Sequence, residues 1–268
     1  MTGRTRGWTG PRPRLLASDI DGTLIDWGAM PSPRVRRALG LVRESGVHVV
    51  LATGRSPWNG LDDIAGAVGL VGPQITLQGA LVADPFAGTV VRARELADAL
   101  VAEALDVALT LGLPASVATT EGYRTPSGRV TDPAAWLEGA TPVRIFIATD
   151  PSAHAQAAAE AQRLLADRAS ITWGDPSGFD VLSPGTDKGE ALGWLAASLG
   201  IPMTEVAAVG DAANDRGMLA AAGASVAMAA AGPEIRAVAR HVARGPEDDG
   251  LVDALAWLFP DLAGRLPD

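Results

Sequence analysis

Cysteine is absent from the 268 residues, which excludes a disulfide framework, a thiolate metal site and a thiol nucleophile, and fits a reducing compartment. Lysine is nearly absent: the 22 basic residues are all arginine except Lys188. A position that keeps a compact ammonium in a chain that otherwise uses guanidinium needs a chemical reason. The three histidines, His48, His154 and His241, are too scattered for a histidine-based catalytic scheme. No uninterrupted apolar run approaches the roughly 18 residues of a membrane helix. The Arg-, Gly- and Pro-rich start, Met1 to Pro13, contains no apolar secretion segment. Positive charge is in deficit, with 31 acidic residues giving a net charge of -9, which argues against nonspecific binding to a phosphate backbone. The chain therefore reads as soluble and cytoplasmic, with no nucleic-acid or membrane partner. Its apolar fraction of 47% is ample for one large core, or a core with an inserted module.

Leu15 to Ile20, Val47 to Ala52, Ile75 to Leu77, Val206 to Val209 and Ser225 to Met228 are short apolar runs of the kind that form buried strands. Helical patterns follow at Pro33 to Glu44, Gly189 to Leu199, Asp215 to Ala222 and Pro233 to Ala239. The alternation predicts an α/β fold with a doubly wound, Rossmann-like parallel sheet, which binds ligands at the carboxyl ends of its strands. The middle of the chain has a different order. Strand Thr89 to Ala93, helix Glu95 to Gly112 and strand Ser116 to Thr120 precede strand Val143 to Ala148, helix Ala153 to Arg168 and strands Ser170 to Trp173 and Phe179 to Leu182. With turn signals at Asp84-Pro85 and Ser183-Pro184-Gly185, this predicts an inserted α+β cap over 82–183. A core over 14–81 and 184–268 and a flexible tail over 1–13 complete the expected organisation.

Four segments carry chemistry. Asp19-Ile20-Asp21-Gly22-Thr23 follows the first strand, and two carboxylates two residues apart on extended chain point the same way. Alone it could equally be a polar turn or part of a calcium loop. Thr53-Gly54-Arg55 follows the second strand, Lys188 opens a helix, and Gly210-Asp211-Ala212-Ala213-Asn214-Asp215 follows the strand from Val206. Each has a bland reading as a cap or turn, yet together they bring carboxylate, hydroxyl, ammonium and carboxylate groups to strand ends that face one cleft.

This combination resembles the haloacid dehalogenase superfamily, and within it the Cof-type (subclass IIB) phosphatases, over almost the whole chain from Leu15 to Phe259. Gln78-Gly79-Ala80, Ser225-Val226-Ala227-Met228 and Pro246-Glu247-Asp248-Asp249-Gly250 support the resemblance. Gln78 departs from the family's usual asparagine and Ala229-Ala230-Ala231 from its Gly-Asn-Ala. The resemblance implies magnesium-dependent hydrolysis of a small phosphate monoester, such as a sugar phosphate, through an aspartyl phosphate. It implies Asp19 as nucleophile and Asp21 as acid and base. Asp19, Asp21 (through its backbone carbonyl), Asp211 and Asp215 would serve the metal. Gly22, Thr53, Gly54, Arg55, Lys188 and Asn214 would surround the phosphate, with Asn214 orienting the Lys188 and Asp211 side. Tyr123 and Arg124 on a cap loop are candidates to meet the leaving group, and Trp58 and Trp173 are candidates to border the substrate. The implied partner is a small phosphorylated metabolite, with the chain a monomer or dimer. A phosphomutase or a noncatalytic phosphometabolite sensor are the alternatives. An arginine at position 188 is expected to leave folding intact while displacing the phosphoryl group or the nucleophile.

Overall fold

Strand β1 (Leu15–Ser18) is buried along its length, and its side chains alternate between two cores, Leu16 facing one and Leu15 and Ala17 the other. A strand buried on both faces belongs inside a parallel sheet covered by helices on each side. The computed structural model, which describes residues 7–174 and 177–267, shows this arrangement. β1 pairs in parallel with β2 (His48–Leu51) on one side and β11 (Val206–Gly210) on the other, and β12 (Ala224–Met228) and β13 (His241–Ala243) continue outward from β11. One face is covered by α1 (Pro33–Glu44), α2 (Leu61–Ala67) and α9 (Gly250–Leu258), and the other by α6 (Lys188–Ser198), α7 (Arg216–Ala221) and α8 (Pro233–Val238). In α1 the buried residues Val35, Ala38, Leu39 and Val42 form one stripe, and Ser32 caps the first turn by accepting from the Val35 amide at 3.1 Å. Winding from β1 proceeds to β2 in one direction and from β11 to β13 in the other, so the topological switch point lies between β1 and β11.

The sequence places Thr89 to Ala93 in the insertion and starts the insertion at Val82. In the structure β4 (Leu81–Asp84) pairs with β3 (Gln74–Thr76) and β5 (Thr89–Ala93) pairs with β4, an antiparallel ribbon tied to the core by a parallel bridge from Ala52 to Ile75. The Asp84 carboxylate accepts from the amides of Phe86 and Ala87 at 2.9 and 3.1 Å, so the Asp-Pro signal marks the hairpin turn between β4 and β5. The second sheet starts after Ala93. It is antiparallel, in the order β7 (Gly122–Arg124), β6 (Ala115–Thr119), β8 (Pro142–Ala148), β10 (Gly178–Leu182), β9 (Ser170–Thr172). Helices α3 (Asp98–Leu111), α4 (Pro133–Leu137) and α5 (His154–Leu165) pack on Val117, Ile145, Ile147, Phe179 and Val181 of that sheet. Side chains of opposite parity, among them Arg144, Phe146 and Asp180, face the core domain. Apolar residues from both units, including Leu77 and Leu81 with Val143 and Leu182, form a small cluster at the seam.

Other sequence expectations need adjustment. Asp215 closes a 3-10 turn, Ala213–Asp215, and α7 starts at Arg216, because the Asp215 carboxylate turns back onto the amides of Asp211 and Ala212. The expected flexible tail is docked from Gly7 onward. The Trp8 amide donates to the Trp257 carbonyl at 2.7 Å and the two indoles lie 5.7 Å apart; residues 1–6 lie outside the described residues. Among the described residues no helix is long and apolar enough to cross a membrane.

Candidate active site

Asp19 stands one residue beyond β1 and stays in register with the sheet, its amide donating to the Val209 carbonyl at 3.0 Å. Asp211 stands one residue beyond β11, so the switch point holds the two carboxylates side by side. Between them Gly22, at φ +87°, passes so close that a β-carbon there would lie 2.4 Å from Asp211 Oδ2. Thr23 completes the junction by donating its hydroxyl to Asp211 Oδ1 at 2.8 Å.

Lys188, the first residue of α6, has 0% exposure. Its Nζ donates to Asp19 Oδ1 at 2.6 Å and to Asp215 Oδ1 at 2.7 Å. The buried ammonium thus ties the first motif to the fourth, which accounts for the one lysine of the chain: a compact cation fits between two carboxylates. Burial opposes the charge on Lys188, but the carboxylates of Asp19 and Asp215 outweigh it and hold the pKa above the ordinary lysine range. Asp19 is pushed well above the carboxylate range, first by burial and then by Asp215 and Asp211, with Lys188 opposing. Asp211 is pushed up to about 6 by burial and by Asp215.

Asp19, Asp211 and Asp215 each offer an oxygen within 4.8 Å of the others. Such an all-oxygen, carboxylate-rich set suits a hard divalent cation such as magnesium, whose charge would relieve the repulsion that raises Asp19 and Asp211. The Asp21 side chain lies apart from this cluster. Both its oxygens are taken by Arg55, whose Nε and terminal nitrogen donate at 2.8 and 2.6 Å. Thr53 is buried beside β3, where its amide donates to the Ile75 carbonyl and its hydroxyl accepts from the Arg55 amide at 3.0 Å. Gly54 passes close to Gln78, where a β-carbon would lie 2.6 Å from Gln78 Nε2. Asn214 does not reach toward Lys188: its Nδ2 donates to Gln78 Oε1 at 2.9 Å.

These groups open onto a cavity of about 370 Å³ between core and cap. Tyr123 lines it, as the sequence expects, whereas Arg124 does not. Trp58 packs into the apolar seam, and Trp173 lies against His154 at 5.2 Å beside a smaller cavity of about 310 Å³. The cap wall is formed instead by Arg144, Phe146 and Asp180, with Gln78 and Asn214 opposite. A signal for the first of these exists in Pro-Val-Arg-Ile-Phe-Ile-Ala over 142–148, where a guanidinium interrupts a strand otherwise apolar on both faces.

A doubly wound core with acidic groups and one buried ammonium at its switch point, facing a second, antiparallel sheet, defines the class of α/β proteins whose ligand site lies at the carboxyl ends of the parallel strands. Residues 16–255 match the haloacid dehalogenase-like hydrolases, and the chain belongs to that family. It is 28% identical to a Streptococcus pyogenes serotype M6 protein that bears a provisional phosphatase name, over 92% of this chain and 98% of that one. A phosphatase of the same superfamily from Bacteroides thetaiotaomicron superposes with a TM-score of 0.77 at 25% identity, covering 96% of this chain and 99% of that one. A subclass IIB sugar phosphatase shares the fold, with a TM-score of 0.77 at 19% identity over 90% of this chain and 97% of that one. The mixed α/β fold with a parallel-sheet core expected from the sequence is the fold these proteins share with the chain.

Proposed function

We propose that the enzyme is a magnesium-dependent phosphatase that hydrolyses a small phosphate monoester, a sugar phosphate or similar metabolite, through an aspartyl phosphate on Asp19. The observation that carries this reading is the buried Lys188 bridge from Asp19, which lines the cavity, to Asp215. A surface turn or a helix cap has no use for an ammonium at 0% exposure. A nucleophile that must approach a phosphate dianion does, because the cation offsets the repulsion between them.

Asp19 attacks phosphorus, an Asp19 O–P bond forms, and the bond from phosphorus to the leaving oxygen breaks. Asp21 gives that oxygen a proton, then takes one from the water that cleaves the aspartyl phosphate and frees Asp19. For Asp21 to meet the leaving group Arg55 has to release it, and a phosphoryl anion seated over Thr53 and Gly54 is the natural competitor for the guanidinium. Asp19, Asp211 and Asp215, with the Asp21 backbone carbonyl, would hold magnesium. The ion supplies charge neutralisation of the phosphoryl oxygens when bound. The cap, from Arg94 to Ser183 on this reading, excludes water from the intermediate.

The test is release of inorganic phosphate from p-nitrophenyl phosphate and from a panel of sugar phosphates, with and without magnesium. Asp19→Asn and metal-stripped enzyme are expected to be inactive. Full turnover by either overturns the covalent mechanism, and isomer formation without free phosphate would make the enzyme a mutase.

A further inference from the structure

The cap wall of the cavity carries a charge pair that the proposed chemistry at phosphorus does not use. Arg144 on β8 and Asp180 on β10 line the same cavity as Asp19, with Arg144 Nε 2.5 Å from Asp180 Oδ1. Asp180 is buried to 3% exposure and Arg144 is mostly covered. Each partner is also held by the core. Arg144 donates to the Gly54 carbonyl at 2.8 Å, and Gln78 Nε2 donates to Asp180 Oδ2 at 2.9 Å while its Oε1 accepts from Asn214. Gln78 is itself fixed, buried in a left-handed conformation at φ 62°. The guanidinium lies 5.3 Å from the centre of the Phe146 ring.

The balance of charge around the cavity sets what can enter. Among the described residues lining it, the cations are Arg55 and Arg144, and the anions are Asp19, Asp21 and Asp180. Arg55 is bound to Asp21 and is the group a phosphoryl oxygen would recruit; Arg144 is committed to Asp180. Among the described lining residues no cation remains for a second anionic group, which would also meet the Asp180 carboxylate away from bulk water. Hydroxyl groups meet no such barrier, because the carboxylate and the Gln78 amide oxygen accept hydrogen bonds and the Tyr123 hydroxyl both donates and accepts.

We propose that the Arg144–Asp180 pair is the specificity determinant of the cavity, admitting an uncharged, hydroxyl-bearing leaving group and rejecting one that carries a carboxylate or a second phosphate. This rests on the phosphatase reading and sharpens its substrate class.

Glucitol 6-phosphate and 6-phosphogluconate test it, because they share a carbon chain and differ by a terminal CH2OH against a carboxylate. Each is measured as a substrate and, in the Asp19→Asn background, as a ligand through its effect on the unfolding temperature. The parent should favour the glucitol ester by about a hundredfold or more in kcat/KM, mainly through KM. Asp180→Asn leaves Arg144 without its carboxylate counter-charge and should shrink that ratio at least about tenfold; Arg144→Gln removes the cation that offsets the Asp180 charge and should widen it. Loosening of the Gly54 loop would slow both esters alike, so the ratio isolates charge from scaffolding. A parental ratio within about threefold, or two folded variants that move the ratio in the same direction or not at all, overturns the proposal. If Asp180→Asn does not fold, the Arg144→Gln ratio decides. If no ester is hydrolysed, the phosphatase reading fails, yet the affinity ratio still decides this proposal.

Discussion

Replacing Lys188 by arginine separates a buried bridge from an ordinary basic position. The side chain sits at 0% exposure with Nζ at 2.6 Å from Asp19 and 2.7 Å from Asp215, so the space available is that of an ammonium between two carboxylates. A guanidinium is longer and planar, and it can satisfy both carboxylates only by pushing one away or by expanding the contact of α6 with the core. The sequence alone suggests that folding survives unchanged; full burial changes that expectation. Overpacking a closed site destabilises by about 1–3 kcal/mol, which for a chain of this size lowers the unfolding temperature by about 2–12 °C. Turnover of p-nitrophenyl phosphate should fall by about a hundredfold or more, the range seen when a preorganised charge next to the reacting atoms is misplaced. Lys188→Met should be worse in stability, since two buried carboxylates lose their counter-ion, a change of about 3–5 kcal/mol. Thermal melts and initial rates on the same preparations provide the comparison. An arginine variant with the parent's unfolding temperature and rate would show that position 188 tolerates any cation and would remove the central support for the active-site assignment.

In the metal-free protein Asp211 has its pKa raised to about 6, so its contribution to stability is full below the ordinary carboxylate value and is lost as pH rises through 6. Asp211→Asn should therefore flatten the fall of metal-free unfolding temperature between pH 4 and 7, and identical slopes for parent and variant would contradict this. Magnesium should stabilise the parent more at pH 7.5 than at pH 5, as calorimetry of the two conditions would show. Gly22→Ala puts a methyl group 2.4 Å from Asp211 Oδ2 at φ +87°, and should raise the magnesium concentration needed for half-maximal activity at least about tenfold; an unchanged requirement would mean that Asp211 does not serve the metal. Trp8→Ala removes the indole packed on Trp257 and under Arg240, a loss of about 2 kcal/mol, seen as a lower melting temperature. An unaltered melt would return residues 7–13 to the status of a loose tail.

The doubly wound core and the four chemical segments were legible because each is local. A strand buried on both faces shows as an apolar run, and Asp19, Thr53, Lys188 and Asp211 each fall within a residue or two of the end of such a run or the start of a helix. The lone lysine was conspicuous in composition before any contact was known. The cap wall was not legible. Arg144 and Asp180 lie 36 positions apart on antiparallel strands, and which parity of each strand faces the cavity depends on where α3 and α5 cover the sheet. The pairing of β5 with β4 was hidden for a similar reason: an Asp-Pro turn looks the same whether it closes a hairpin or opens a linker. Local sequence determined the strands, the turns and the residues able to do phosphate chemistry. Long-range packing alone decided that Arg55 holds Asp21, that Asn214 turns to Gln78 and that the Arg144–Asp180 ion pair lines the cavity with Asp19, because side-chain partners are chosen by register between distant elements.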